Sequence, residues 1–135
     1  MVLLDTMVVS ELRKSRPNAH VIQWLRGQSA NDVFLSVVTL GEIERGIAMQ
    51  RKTQPDFAQE LARWLETLQS LYVDRVLPVT APIARRWGLL SAQLGHEGAD
   101  LLIAATALTH GLTVATRNVR HFSATGVQVV NPFEK

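Results

Sequence analysis

Asp100-Leu101-Leu102-Ile103-Ala104-Ala105-Thr106-Ala107-Leu108-Thr109-His110-Gly111-Leu112-Thr113-Val114-Ala115-Thr116 decides the fold. Residues 101–108 are apolar nearly all round, which predicts a helix buried in the protein rather than lying on its surface. Gly111 follows as the residue that ends it. Residues 112–116 then read as a central strand, because a short apolar, β-branched run is what a strand covered on both faces requires. A buried helix joined through one glycine to a buried strand is the second half of a strand-helix-strand crossover, and the same alternation runs back to the amino terminus.

Working outward, Val2-Leu3-Leu4 reads as a buried parallel strand whose carboxyl end delivers Asp5 to the sheet edge. Met7, Val8, Val9 and Leu12 predict a helix that stops before Arg16-Pro17, since a residue ahead of proline disfavours helical geometry. Asn18 caps a second helix carrying Val21, Ile22, Trp24 and Leu25. Val33-Phe34-Leu35-Ser36-Val37-Val38, after the Asn31-Asp32 turn, is the second strand. Thr39-Leu40-Gly41-Glu42 fits a capping box, with Thr39 at the N-cap and Glu42 three residues on, opening a helix with Ile43 and Ile47 inside. Past a loop at 50–55, Phe57, Leu61, Trp64, Leu65, Leu68 and Leu71 mark an amphipathic helix beginning at Asp56. Val76-Leu77-Pro78-Val79 is a third strand that Pro78 confines to an edge or a strand end. Ile83, Trp87, Leu90 and Leu94 recur at helical spacing up to a break at 95–98, and Val127-Gln128-Val129-Val130 is the last strand. The three tryptophans fall on apolar stripes and read as core. The fold class is α/β, with a mainly parallel central sheet flanked by helices on both faces and one folded unit over residues 1–135.

Composition agrees. Of 135 residues, 47% are hydrophobic and 19% charged, enough apolar material to exclude a disordered or highly charged tail protein. Fourteen Lys and Arg against twelve Asp and Glu leave +2, too little to indicate a nucleic-acid binder by charge alone. The absence of cysteine excludes a disulfide scaffold, a thiolate zinc site and thiol catalysis. Met1-Val2-Leu3-Leu4-Asp5 meets a carboxylate before a signal-peptide core forms, and the apolar stretch 99–111 is too short to span a bilayer, so a cytoplasmic location is expected.

The chemistry lies in the acids at strand ends, where open α/β sheets bind ligands. Glu44, Glu60 and Glu66 read as solvated helix faces, and Asp32 and Asp74 as turns. Asp5 follows the first strand, Glu42 lies after the second, and Asp100 opens the helix leading to the strand at Leu112, so all three are expected to converge on one edge. Carboxylates that close repel, and a cation that prefers oxygen, Mg²⁺ or Mn²⁺, relieves the repulsion. Asn118 follows the 112–116 strand and reaches the same edge with an amide oxygen. His110 reads as a cation near a helix C-terminus, and His121 as a residue in a short loop with no assignable partner. The basic groups Arg13-Lys14-Arg16, Arg45, Arg51-Lys52, Arg85-Arg86 and Arg117 with Arg120 would hold phosphates of a polyanion wherever they rim such a site.

These residues resemble a known family. Leu3-Leu4-Asp5-Thr6, Glu42, Ala99-Asp100 ahead of an Ala-rich helix, and Val114-Ala115-Thr116-Arg117-Asn118-Val119-Arg120-His121-Phe122 look like a PIN domain. The closing Gly126-Val127 and Val130-Asn131-Pro132-Phe133 are similar to those of VapC and FitB-like toxins of prokaryotic toxin-antitoxin pairs. The resemblance implies a Mg²⁺- or Mn²⁺-dependent endoribonuclease held inactive by a cognate antitoxin. It carries catalytic roles onto Asp5, Glu42 and Asp100, with Asp5 and Asp100 as direct metal ligands and Glu42 acting through water; Asn118 joins the catalytic set through its place at the same edge. It also implies a homodimer, a toxin-antitoxin hetero-oligomer, and contact with operator DNA only through the antitoxin. Relatives often have an aspartate at the position of Asn118 or of His121; neither is acidic here, which argues against a fourth charged ligand and a second ion.

Two other readings compete. A PIN-like RNA-binding or scaffold module without catalysis fits the missing fourth acid. A phosphotransfer or phosphatase domain with Asp5 as nucleophile fits less well, because Asp5-Thr6-Met7 has no second acid beside it and no Gly-rich phosphate loop occurs.

Overall fold

The structure, a computed structural model describing residues 1–134, contains strands β1 (Val2–Leu4), β2 (Val33–Ser36), β3 (Val76–Leu77), β4 (Thr113–Ala115) and β5 (Val129–Val130). They form one sheet in the order β3-β2-β1-β4-β5, every neighbouring pair parallel. The helices are α1 (Thr6–Leu12), α2 (Ala19–Arg26), α3 (Val37–Gln50), α4 (Pro55–Leu71), α5 (Ala81–Leu94), α6 (Ala99–His110) and α7 (Val119–Ser123). No helix among the described residues is long and apolar enough to cross a membrane.

Successive strand residues point to opposite faces, and the two faces have separate cores. Val2, Leu4, Val33, Leu35 and Ala115 pack with residues of α1 to α4. Leu3, Phe34, Val114 and Val129 pack on the other side with Ile103, Ala104 and Ala107 of α6 and Phe122 of α7. The opposite side of α6 presents Leu101 and Ala105 to Ile83 and Leu90 of α5. That double engagement explains a helix apolar nearly all round: it lies between the sheet and another helix. Gly111 ends it at φ +68°, a left-handed conformation that a side chain resists.

The chief departure from the sequence reading is the junction of β2 and α3. The strand stops at Ser36, not Val38, and Ser36 rather than Thr39 is the N-cap, its Oγ accepting from the Val38 N–H at 3.0 Å. Val37 and Val38, strand-like by residue type, form the first helical turn because a buried serine hydroxyl satisfies an amide that the helix start leaves without a partner. The capping box is therefore incorrect, and Thr39 and Glu42 lie inside α3, free of capping. Ser36→Ala should cost about 1 kcal/mol in urea denaturation; a variant as stable as the parent would contradict this cap.

Other differences are smaller. β3, β4 and β5 are each shorter than the runs at 76–79, 112–116 and 127–130, although Leu112, Thr116 and Val127 are buried beside them. α4 begins at Pro55, whose missing N–H costs nothing at a first helical position. His121, read as lying in a short loop, is on the short helix α7. β3 lies at the sheet edge, as Pro78 required. The tryptophans are half-buried against the cores, and Trp87 Nε1 is the one buried side-chain polar atom without a partner among the described residues.

From β1 the chain moves outward to β2 and β3, then crosses to the far side of β1 for β4 and β5. The reversal occurs between β1 and β4. Their carboxyl ends therefore open the crevice that this kind of sheet uses for ligands.

Candidate active site

Asp5 sits in that crevice. Its N–H donates to the Ala115 carbonyl at 2.9 Å, extending the β1–β4 ladder by one rung and fixing the residue where the strands end. The residue is 3% exposed. Oδ1 accepts from the Thr6 N–H at 2.7 Å, and Oδ2 accepts from the Thr116 hydroxyl at 2.9 Å. The buried Thr116 hydroxyl in turn accepts from the Asn118 N–H at 2.9 Å.

Those hydrogen bonds favour the ionised carboxylate, but they do not prevail. Burial, with the negative charges of Asp100 and Glu42 added, raises the Asp5 pKa from 3.8 to about 6. No Lys, Arg or His forms an ion pair with Asp5 among the described residues. Asp5 is a buried acid lacking a countercharge.

Glu42 projects from α3 with its Oε1 accepting from the Thr6 hydroxyl at 2.6 Å, while Thr6 Oγ1 lies 3.0 Å from Thr39 Oγ1. This pair of threonines holds a side chain that a capping box would have turned toward the helix start. Asp100 occupies the first turn of α6 with its side chain one-third exposed, and its Oδ2 is 3.9 Å from His121 Nδ1. His121 is thus on α7 and has a partner, correcting both parts of its sequence reading. Asn118 reaches the same end, where its exposed amide lies 3.7 Å from Met7 Sδ. His110 stands at the exposed C-terminal turn of α6, as read.

The expected acids are therefore neighbours in charge, but they do not form a closed cage. No group of three His, Asp or Glu among the described residues is gathered tightly enough to hold a metal ion unaided. The sequence reading missed Thr6 and Thr116, which position the acids, and Glu11, a buried acid on α1. For the threonines a signal was present: Thr6 directly follows Asp5, and Thr116 is the first residue after β4.

Two clefts flank α1 and share Thr6 and Ser10. One is lined by Glu42, Arg13, Phe57 and Trp64, the other by Met7, Glu11, Lys14, Arg117 and Phe133. The first includes Glu42 itself, and the second meets the acids through Thr6, which hydrogen-bonds Asp5 and Glu42.

A family model described as PIN domain matches residues 2–127. The chain belongs to the PIN domain family. This PIN domain is 38% identical to VapC ribonuclease Y4jK of Sinorhizobium fredii, over 99% of each chain. Its fold superposes on FitAcB from Neisseria gonorrhoeae with a TM-score of 0.87 at 37% identity, covering 100% of both chains. A toxin-antitoxin complex from Klebsiella pneumoniae contains a chain that is 25% identical, with a TM-score of 0.71 over 100% of each chain.

Proposed function

We propose that this chain is a Mg²⁺- or Mn²⁺-dependent endoribonuclease, the cytoplasmic toxin of a toxin-antitoxin pair. The observation that carries the proposal is the buried Asp5 carboxyl, left without a countercharge beside Asp100 and Glu42. Its likeness to a ribonuclease and to a toxin-antitoxin complex supports the substrate and the biological role.

The residues fit a divalent ion. Every donor is a hard oxygen, and Mg²⁺ usually binds through one or two carboxylates while keeping several waters, so an open set of acids suits it better than a closed cage. Asp5 and Asp100 would hold the ion, with Glu42 and Asn118 beside it. When bound, the ion supplies positive charge at the phosphate and makes a nearby water a stronger acid. The remaining work falls to the protein. Thr6 N–H and the Thr116 hydroxyl fix both oxygens of Asp5, and the Thr6 hydroxyl fixes Glu42. The rigid ends of β1 and β4 hold them in one geometry before substrate arrives, so little rearrangement accompanies the reaction. Three ionised carboxylates carry a formal charge near −3, which repels RNA until it is neutralised. A cognate antitoxin silences the site by presenting a cation to the same acids, and reaches operator DNA on the toxin's behalf; the toxin itself is taken to be a homodimer.

Antitoxin-free protein incubated with mixed RNA tests this. Cleavage is expected with Mg²⁺ or Mn²⁺ and none in chelator. RNA binding without cleavage under either ion would favour the non-catalytic module, for which the non-acidic Asn118 and His121 speak.

A further inference from the structure

We propose that Arg117 and Lys14 hold a backbone phosphate of the RNA strand next to the one being cut, in the cleft beside α1 that Phe133 closes. The inference rests on the ribonuclease reading and adds a substrate-positioning site to it.

The basic groups of the sequence do not all meet the acids. Arg85 and Arg86 line a separate recess on α5 that includes none of the acid-site residues. Arg13 lies over the Phe57 ring at 5.5 Å and borders the cleft containing Glu42, whose charge opposes an anion there. Lys14 and Arg117 line the other cleft, which lacks Glu42 but includes Thr6 and Met7, the residues directly after Asp5. That cleft meets the acids through Thr6, whose N–H and hydroxyl bind Asp5 and Glu42, so an anion held in it lies on the next stretch of a strand that crosses the acids.

Arg117 is built for such a contact. It follows Thr116, the residue that holds Asp5, so its backbone is tied to the acid site. Its guanidinium carbon sits 3.9 Å over the Phe133 ring, and the stacked plane fixes the long side chain while leaving its N–H edge to an oxyanion. Among the described residues it forms no salt bridge. Lys14 Nζ lies 3.0 Å from Glu11 Oε1, while the other oxygen of Glu11 accepts from the Asn18 N–H at 2.8 Å. The Lys14 hydrogen bond, the Asn18 N–H and the charge of Arg117 hold Glu11 below the usual glutamate range. The cleft thus contains two cations and one carboxylate, leaving one positive charge for a phosphate. The logic is electrostatic: an acid pocket cannot retain a polyanion by itself, and a fixed cation at its border holds the strand without cancelling the acids.

Steady-state cleavage of a short fluorescein-labelled single-stranded RNA in Mg²⁺, over a series of salt concentrations, tests the site. Anisotropy binding of the same RNA, on the parent and on an Asp100→Asn background, runs alongside. Arg117→Gln is expected to raise KM about tenfold, with kcat within about twofold, the size of one charge-assisted contact. The slope of log affinity against log salt should fall by about 0.7, the value for one phosphate contact on a single strand. Arg117→Lys should restore the slope, and Arg63→Gln on α4, with the same change in net charge, should alter neither. Lys14→Gln should move KM and slope in the same direction and serves as the second test if Arg117→Gln folds poorly. An unchanged slope in both Gln variants overturns the proposal, and a raised KM with that slope assigns Arg117 only to packing on Phe133. RNA binding with an Arg117-dependent slope but no cleavage under any divalent ion would keep this site and sink the nuclease reading instead.

Discussion

Asp5→Asn is expected to reduce RNA cleavage by about a thousandfold or more while making the metal-free protein more stable. The activity loss follows from removing the charge of the best-fixed carboxylate, whose share in binding a divalent ion is worth several kcal/mol at the reacting phosphate. The stability gain has the opposite sign because, near pH 7.5, the native protein carries an ionised carboxyl that burial disfavours. The rise from 3.8 to about 6 corresponds to about 3 kcal/mol. An amide of the same shape avoids that cost, and the Thr116 hydroxyl can rotate to suit it, so a gain of about 1–3 kcal/mol is expected. Turnover on RNA and urea denaturation in chelator read the two effects. Full metal-dependent cleavage by Asp5→Asn, with Asp100→Asn equally active, would end the proposed mechanism.

The second large effect is in pH. Asp5 binds its proton more tightly folded than unfolded, so its contribution to stability is fully present below about pH 4. It is lost as pH rises through about 6, by about 3 kcal/mol in the absence of metal. Glu11 acts in the other direction: its pKa is lowered, so its contribution is present above the unfolded value of 4.5 and lost on acidification. Denaturation midpoints in chelator should therefore decline from pH 5 to pH 7, and Glu11→Gln should flatten only the acid limb. Millimolar Mg²⁺ or Mn²⁺ at pH 7.5 should restore the lost stability, since a ligand that binds only the folded state stabilises it by mass action. Stability that is flat over this range and indifferent to either ion would count against an uncompensated Asp5.

Much of the frame was legible because its signals agree with one another. The helix at 99–110, its terminal glycine and the strand after it each require the same buried crossover, and the structure has it. The acids were legible by position, since strand ends in a parallel sheet point to one side. What was misread depended on tertiary competition. Val37 and Val38 have strand chemistry, but the chain had a better cap at Ser36 than at Thr39, and a cap is chosen by geometry that residue type does not contain. The partner of His121 was invisible because the 119–123 segment carries too few residues for a periodic pattern, so α7 and its approach to Asp100 emerge only in the fold. Glu11 was missed because nothing in the sequence around it marks a partner; it is buried where the turn into α2 brings the Asn18 amide to it.

The placement of β1 between β2 and β4 has a consequence for synthesis. The hydrogen bond from Thr116 to Asp5 joins residues 111 positions apart, and Leu3 pairs with Val114 across a similar interval. A ribosome thus makes the central strand well before the neighbour that completes its seat. Until β4 emerges, Asp5 lies on a strand with one side open and is not held against Thr116. The acid cluster is therefore assembled late in the order of synthesis, after the helices that lie between the two strands in the chain.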